Sequence, residues 1–200
     1  MSTTTQRKRS ITRADIWDDG RYAAERRAVR QRMVELKRHR RCAVGPVCTF
    51  YFENWETMWA QIQEMLHIEK GGEAQIDDEL SAYNPLVPQG RELVATVMFE
   101  IEDPQRRHAL LSRLGGVEKC FYLEVAGRRS QAVAESDVER TKADGKTSSI
   151  HFLHFPLTDE QAAAFKSAGA RVLLGVEHPE YGHMAVMPET TRAALAQDLD

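Results

Sequence analysis

The sharpest chemical pattern in the chain is Glu64-x-x-His67. A carboxylate and an imidazole three residues apart lie on one edge of a helix, which is half of the ligand set of a carboxylate-bridged metal bundle. Such a site takes its other half from a second copy of the motif. No second copy lies on a predicted helix, the other Glu-x-x-His being Glu180 to His183 in a turn, so a metal beside Glu64 would have to recruit Glu53, Glu79 or another carboxylate from elsewhere. The segment His178-Pro-Glu-Tyr-Gly-His183 is a second place to look, because a turn is free of strand parity and lets two imidazoles and Glu180 converge. His151 and His154 do not qualify, since three residues along a strand put their side chains on opposite faces with Cα atoms about 10 Å apart. His178, His183, Glu64 and His67 are therefore the residues a metal would use. No metal or cofactor is signalled, and a hydrogen-bonded polar edge and a tyrosine-containing turn account for all four.

A second set consists of polar residues set beside apolar stripes: Glu53, Gln63, Glu64, Tyr83 and Asn84. A polar group kept next to a core has a structural hydrogen-bond partner or a ligand. If these five line a pocket, a carboxylate there, desolvated and raised in pKa, would act as a general base.

The third set is charge. Between Arg7 and Arg41 there are 13 Lys or Arg against 5 Asp or Glu, in a chain whose net charge is -3. Arg26, Arg27, Arg30, Lys37 and Arg38, with Arg40 and Arg41 after them, make a basic helical face. Clustered guanidinium groups bind phosphates by releasing counterions, but the aromatic interleaving of a nucleic-acid surface is missing, and Glu25 and Glu35 interrupt the face. A solvated face or a partner-docking face fits better. The GxGxxG, Walker, GxSxG, HExxH and CxxC patterns are absent, so the common dinucleotide, nucleotide, hydrolase and zinc machineries are not signalled. Cys42, Cys48 and Cys120 leave one thiol unpaired under any disulfide scheme, which fits a reducing compartment. Cys48, within a strand, is expected to be buried with a raised pKa and little reactivity.

These residues need elements to position them. Thr12 with Asp15 makes a capping box for a first helical turn. Tyr22, Val29, Met33 and Leu36 recur on one helical face, predicting a long amphipathic helix over about 19–40. Residues 42–52 read as a strand bent at Gly45-Pro46. Asn54 caps a helix whose Trp55, Met58, Trp59, Ile62, Met65 and Leu66 keep core spacing, and a shorter polar helix follows Gly71-Gly72 and ends before Pro85. Beyond about Pro88, strands near 92–102, 117–125, 129–135, 149–156, 172–177 and 183–187 alternate with helices near 103–114, 159–168 and 188–199, with a polar loop over 137–147. Strands separated by both hairpins and helices predict an α+β fold, a mostly antiparallel or mixed sheet with helices packed on one face. The expected organisation is a disordered tail over 1–10 and one domain over 11–200, helix-rich to about 88 and sheet-rich from 89. With no run of about 18 apolar residues and no signal-peptide core, a soluble cytoplasmic protein is expected.

Phe52-Glu53-Asn54, Gln61 to Leu66, Ala82-Tyr83-Asn84-Pro85-Leu86-Val87-Pro88, Arg106-Arg107 with Leu110 and Leu114, Ser148 to Phe155 and Gly175-Val176-Glu177-His178-Pro179 together resemble the bacterial family known as domain of unknown function 3501. The resemblance spans nearly the full chain. It implies an association with rubrerythrin-like and iron–sulfur oxidoreductase-like proteins and carries no catalytic residues. The residues and the resemblance together lead to two expected functions. One is a non-enzymatic accessory protein of a redox module that docks a protein partner through the basic helix. The other is an enzyme or small-ligand binder with its pocket at the junction of the two lobes. Nucleic-acid binding ranks last, and the oligomeric state is not legible.

Overall fold

The computed structural model describes residues 8–135 and 145–200. Their strands form two sheets rather than one, and all of the pairings are antiparallel. The five-stranded sheet runs in the order β1 (Arg41–Val44), β2 (Cys48–Phe52), β3 (Glu92–Phe99), β7 (Ile150–Pro156), β6 (Val133–Ala134). The four-stranded sheet runs β5 (Arg128–Gln131), β4 (Phe121–Val125), β8 (Val172–His178), β9 (Tyr181–Val186). Strands β5 and β6 are one run of chain interrupted at Ala132, whose N–H donates to the carbonyl of Phe121 at 2.9 Å. There the chain leaves β4 and joins β7, and so passes from one sheet to the other. At the far edges, the Tyr181 hydroxyl of β9 donates to the Val44 carbonyl of β1 at 2.9 Å and accepts from the Val47 N–H at 3.3 Å.

The inner faces share one apolar core. Phe50 lies at its centre, edge-on to Phe121 at 5.7 Å and tilted against Phe155 at 6.1 Å, contacts worth about 0.5–1.5 kcal/mol each beyond burial. Leu111, Leu114, Phe165 and Leu195 close the core from α4 (Pro104–Leu111), the turn after it, α5 (Asp159–Lys166) and α6 (Glu189–Leu195). Strand β3 is buried on both faces: Leu93, Ala95, Val97 and Phe99 join this core, whereas Val94 joins a second one built with the N-terminal helices. A strand covered on both sides loses its polar alternation, which is why residues 93–99 read as a nearly continuous apolar run.

The second core lies between the five-stranded sheet and α1 (Asp19–Arg38), α2 (Trp55–Glu69) and α3 (Glu73–Tyr83). The predicted stripe on α1 is its buried side: Tyr22, Val29 and Met33 are buried and Leu36 packs against them. Asp18 caps α1 by accepting from the Arg21 N–H, and Asn54 with Thr57 forms a capping box on α2. Both indoles of α2 hold the chain ahead of α1, Trp59 Nε1 donating to the Asp15 carbonyl at 2.9 Å and Trp55 Nε1 to that of Ser10 at 2.8 Å. The Thr12–Asp15 capping box forms as expected. Of the expected tail, residues 1–7 lie outside the described residues. Arg9 is docked, donating to the carbonyls of Pro88 and Asp198 at 2.9 Å each.

Three local readings change. Residues 42–52 are a hairpin, not one bent strand: Val44 pairs with Cys48 and Arg41 with Tyr51. Gly45 takes φ +75°, and a Cβ there would meet the Tyr181 hydroxyl and the His183 ring at 2.6 Å, so the turn requires glycine. Residues Val117–Lys119 form a 3-10 turn after Gly116, leaving only Phe121–Val125 as strand. The helices nearest the N-terminus and the strands β1 and β2 come from the same stretch, so the two expected lobes share a sheet instead of meeting at a seam. Most of the expected loop over 137–147 lies outside the described residues. No helix among the described residues is long and apolar enough to cross a membrane.

Candidate functional site

Glu64, on α2, faces α1. It accepts from the Tyr22 hydroxyl at 2.8 Å and from Arg26, through Nε at 3.1 Å and through Nη2. The Arg26 guanidinium, aided by the Tyr22 hydroxyl and opposed by partial burial, holds the carboxyl down at about 2. Burial and then Glu64 push the Tyr22 phenol well above its ordinary range. A carboxylate so stabilised is a poor proton acceptor, the reverse of the raised general base anticipated from sequence.

His67, one turn further along α2, engages other partners. Its Nδ1 lies 2.6 Å from Asp19 Oδ1, and its ring meets Tyr22 edge-on at 5.6 Å. Glu64 and His67 share a helical edge, but one is drawn to Arg26 and the other to the start of α1. The turn joining β8 and β9 does not gather ligands either: His178 Nε2 is 3.2 Å from the Gly115 carbonyl, Glu180 pairs with Arg113 at 3.2 Å, and the His183 ring packs on Tyr181 at 4.4 Å. Among the described residues no group of three or more His, Cys, Asp or Glu is placed to hold a metal ion. His151 points into the core and His154 outward, where its two nitrogens meet Glu92 at 2.8 Å and Glu135 at 2.6 Å. The Cys48 thiol is pushed up to about 12 by burial.

The five polar residues read as a pocket are placed separately. Glu53 is buried between α2 and β3, accepting from the hydroxyls of Thr57 at 2.6 Å and Thr96 at 2.7 Å. Asn84 clasps the Ile11 backbone in both directions, at 2.7 and 2.9 Å. The Tyr83 hydroxyl receives a long bond from Gln61 at 3.5 Å. Two of the five border clefts: Glu64 the one described next, and Gln63 a smaller cavity on the opposite side of Tyr22.

The larger cleft, about 680 Å³, opens between α1, α2 and the β1–β2 hairpin. Arg30, Lys37, Arg38 and Arg41 line it, with Met33, Val34 and Tyr51 between them. Residues 30, 34, 37 and 38 follow one another at helical spacings, which gathers Arg30, Lys37 and Arg38 with Val34 on one face of α1. Arg41 pairs across the hairpin with Tyr51, so cross-strand register puts both side chains on the same face. Arg38 bonds Glu35 at 3.0 Å and Arg26 is taken by Glu64. Arg30, Lys37 and Arg41 form no ion pair with any described residue. Of the basic face expected from sequence, Arg30, Lys37 and Arg38 line the cleft, while Arg26 closes its end through Glu64 and Arg27 is exposed outside it. Arg41, counted from sequence with the basic helix, lies instead on β1, and Tyr51 was missed, although strand alternation across the hairpin would have located it.

A family model described as a protein of unknown function (DUF3501) matches residues 10–199. A crystal structure of a novel protein of unknown function from Burkholderia pseudomallei superposes with a TM-score of 0.88 at 40% sequence identity, covering 96% of this chain and 100% of that one. No curated protein matches. On the extent of these matches, this chain is a member of the DUF3501 family.

Proposed function

We propose that this protein is a non-enzymatic binding protein that docks an acidic protein partner across the cleft between α1 and the β1–β2 hairpin. The observation that carries this reading is that Arg30, Lys37 and Arg41 line one cleft and form no ion pair with any described carboxylate, in a chain whose net charge is -3. Cations held together without partners repel one another, and an incoming carboxylate relieves that repulsion. The span from Arg30 to Arg38 on α1 is about 12 Å by helical rise, longer than one phosphate and suited to a row of acidic side chains. Val34, 64% exposed in the middle of the row, supplies an apolar anchor. An acidic body with one basic face orients an acidic partner before contact, which raises the association rate and fixes register. The family resemblance favours a redox protein, rubrerythrin-like or of the iron–sulfur oxidoreductase kind, as that partner. In this reading the chain is an accessory component of a redox module.

The test is fluorescence anisotropy with a labelled polyglutamate peptide about 20 residues long, titrated at low and moderate salt. Binding that weakens with salt and falls about tenfold or more in the Arg30→Glu, Lys37→Glu, Arg41→Glu triple variant supports the proposal. Equal binding by the triple variant sinks it, as does tighter binding of a DNA duplex than of the peptide at the same salt.

A further inference from the structure

The cavity on the opposite side of Tyr22 has a different character. It measures about 350 Å³ and lies between the start of α1, the C-terminal half of α2 and the start of α3. Trp17, Tyr22, Leu66 and Ile76 form its walls, and Gln63 projects from α2 into its lining. This volume and mix, apolar and aromatic walls with one polar group, are those of a small-molecule pocket.

Gln63 is the anomaly. It is 2% exposed, yet its buried Nε2 has no hydrogen-bond partner. A buried amide left unpaired costs about 1–3 kcal/mol. Leucine or methionine would fill the same place on α2 without that cost, so packing does not explain the residue. The terminal torsion of glutamine is broad, and the amide can present its N–H and its C=O toward the cavity side by side. The rim sets the charge of what enters. Asp19 lies between His67 at 2.6 Å and Lys70 at 2.9 Å, Glu73 is held by Arg13 at 3.0 Å, and Asp18 is occupied as the cap of α1. Three carboxylates thus stand against Lys70, Arg13 and His67, so the mouth carries no excess of positive charge to draw in an anion.

We propose that this cavity binds a neutral, flat molecule bearing an adjacent N–H and C=O, a carboxamide or a lactam, which pairs in two-point fashion with the Gln63 amide while its ring lies among Trp17, Tyr22 and Leu66. This site is independent of the basic cleft, and either proposal stands if the other fails.

The probe is benzamide, with benzoate and acetophenone as the anionic and acceptor-only comparators. Titration of the full chain is followed by the side-chain NH2 signals of Gln63 in a nitrogen–proton correlation spectrum and by tryptophan fluorescence. Saturable shifts of the Gln63 signals, with benzoate and acetophenone about tenfold weaker, support the proposal. Gln63→Leu removes both the orphan amide and the recognition group, so it raises the urea midpoint while weakening benzamide about tenfold or more. Gln63→Met repeats the test with an unbranched chain. The proposal is overturned if the Gln63 signals stay still at saturation of the tryptophan signal or if no saturable binding of benzamide is seen. It is equally overturned if benzoate binds as well as benzamide, or if both variants lower the midpoint, which would mean that the amide is hydrogen-bonded in solution.

Discussion

Replacing Glu64 by glutamine keeps the shape of the side chain and removes the charge that ties α2 to α1. In the folded protein this carboxyl titrates at about 2 against an ordinary value of 4.5. A displacement of that size corresponds to about 3 kcal/mol. The side chain is 26% exposed, and solvent screening of a partly open pair reduces the figure to about 1–2 kcal/mol. The folded value lies below the unfolded one, so this stability is present in full above pH 4.5 and is lost as pH falls toward 2. Urea unfolding of the wild type and Glu64→Gln, from pH 7 down to pH 3, should therefore show the variant weaker by about 1–2 kcal/mol at neutral pH, with the gap narrowing below pH 4.5. A gap that is unchanged across that range would refute the electrostatic origin, and no gap at pH 7 would refute the pairing itself.

Three further outcomes follow from buried contacts. Arg40, 3% exposed, donates to the carbonyls of Phe52 at 3.0 Å and Glu53 at 2.9 Å and pairs with Asp198 at 2.5 Å; Arg40→Leu takes the guanidinium away from a buried carboxylate and from two buried carbonyls and should cost about 3–5 kcal/mol in urea unfolding, with Asp198→Leu in the same chain recovering part of it. The bond to Glu92, and with it the bond to Glu135, raises His154 above its ordinary 6.5, so its contribution is complete below pH 6.5 and disappears as pH rises through the elevated value; His154→Gln should be less stable than wild type at pH 6 and converge with it toward alkaline pH in thermal melts. A Cβ at Gly175 would stand 2.1 Å from the Tyr122 ring, so Gly175→Ala should lower stability by about 1–3 kcal/mol, a loss that Tyr122→Leu would reduce.

What was legible in the sequence was local. The stripe Tyr22, Val29, Met33 fixed the buried side of α1, and Asn54 and Thr12 marked helix starts, because capping and periodicity act within a few residues. The two-sheet arrangement was not legible, since it depends on Ala132 breaking one strand and on the hydroxyl of Tyr181 reaching Val44, 137 residues away in the chain. Gly45-Pro46 was read as a bend because a bulge and a three-residue hairpin turn use the same residues. The basic face was visible as composition, but which cations remain unpaired was not, because Glu64 takes Arg26 from 38 residues away. Gln63 was singled out for lying beside an apolar stripe, and only the structure shows its amide nitrogen to be buried without a partner.

The account turns on the cleft beside α1 as the docking face. The most direct measurement is a nitrogen–proton correlation spectrum of the full chain titrated with the polyglutamate peptide. The account predicts that the amides of residues 30–41 and of Tyr51 move together, saturate, and return on adding salt, while those around Trp17 and Ile76 stay in place. Shifts centred elsewhere, on the α4 face or the outer side of β9, would contradict it.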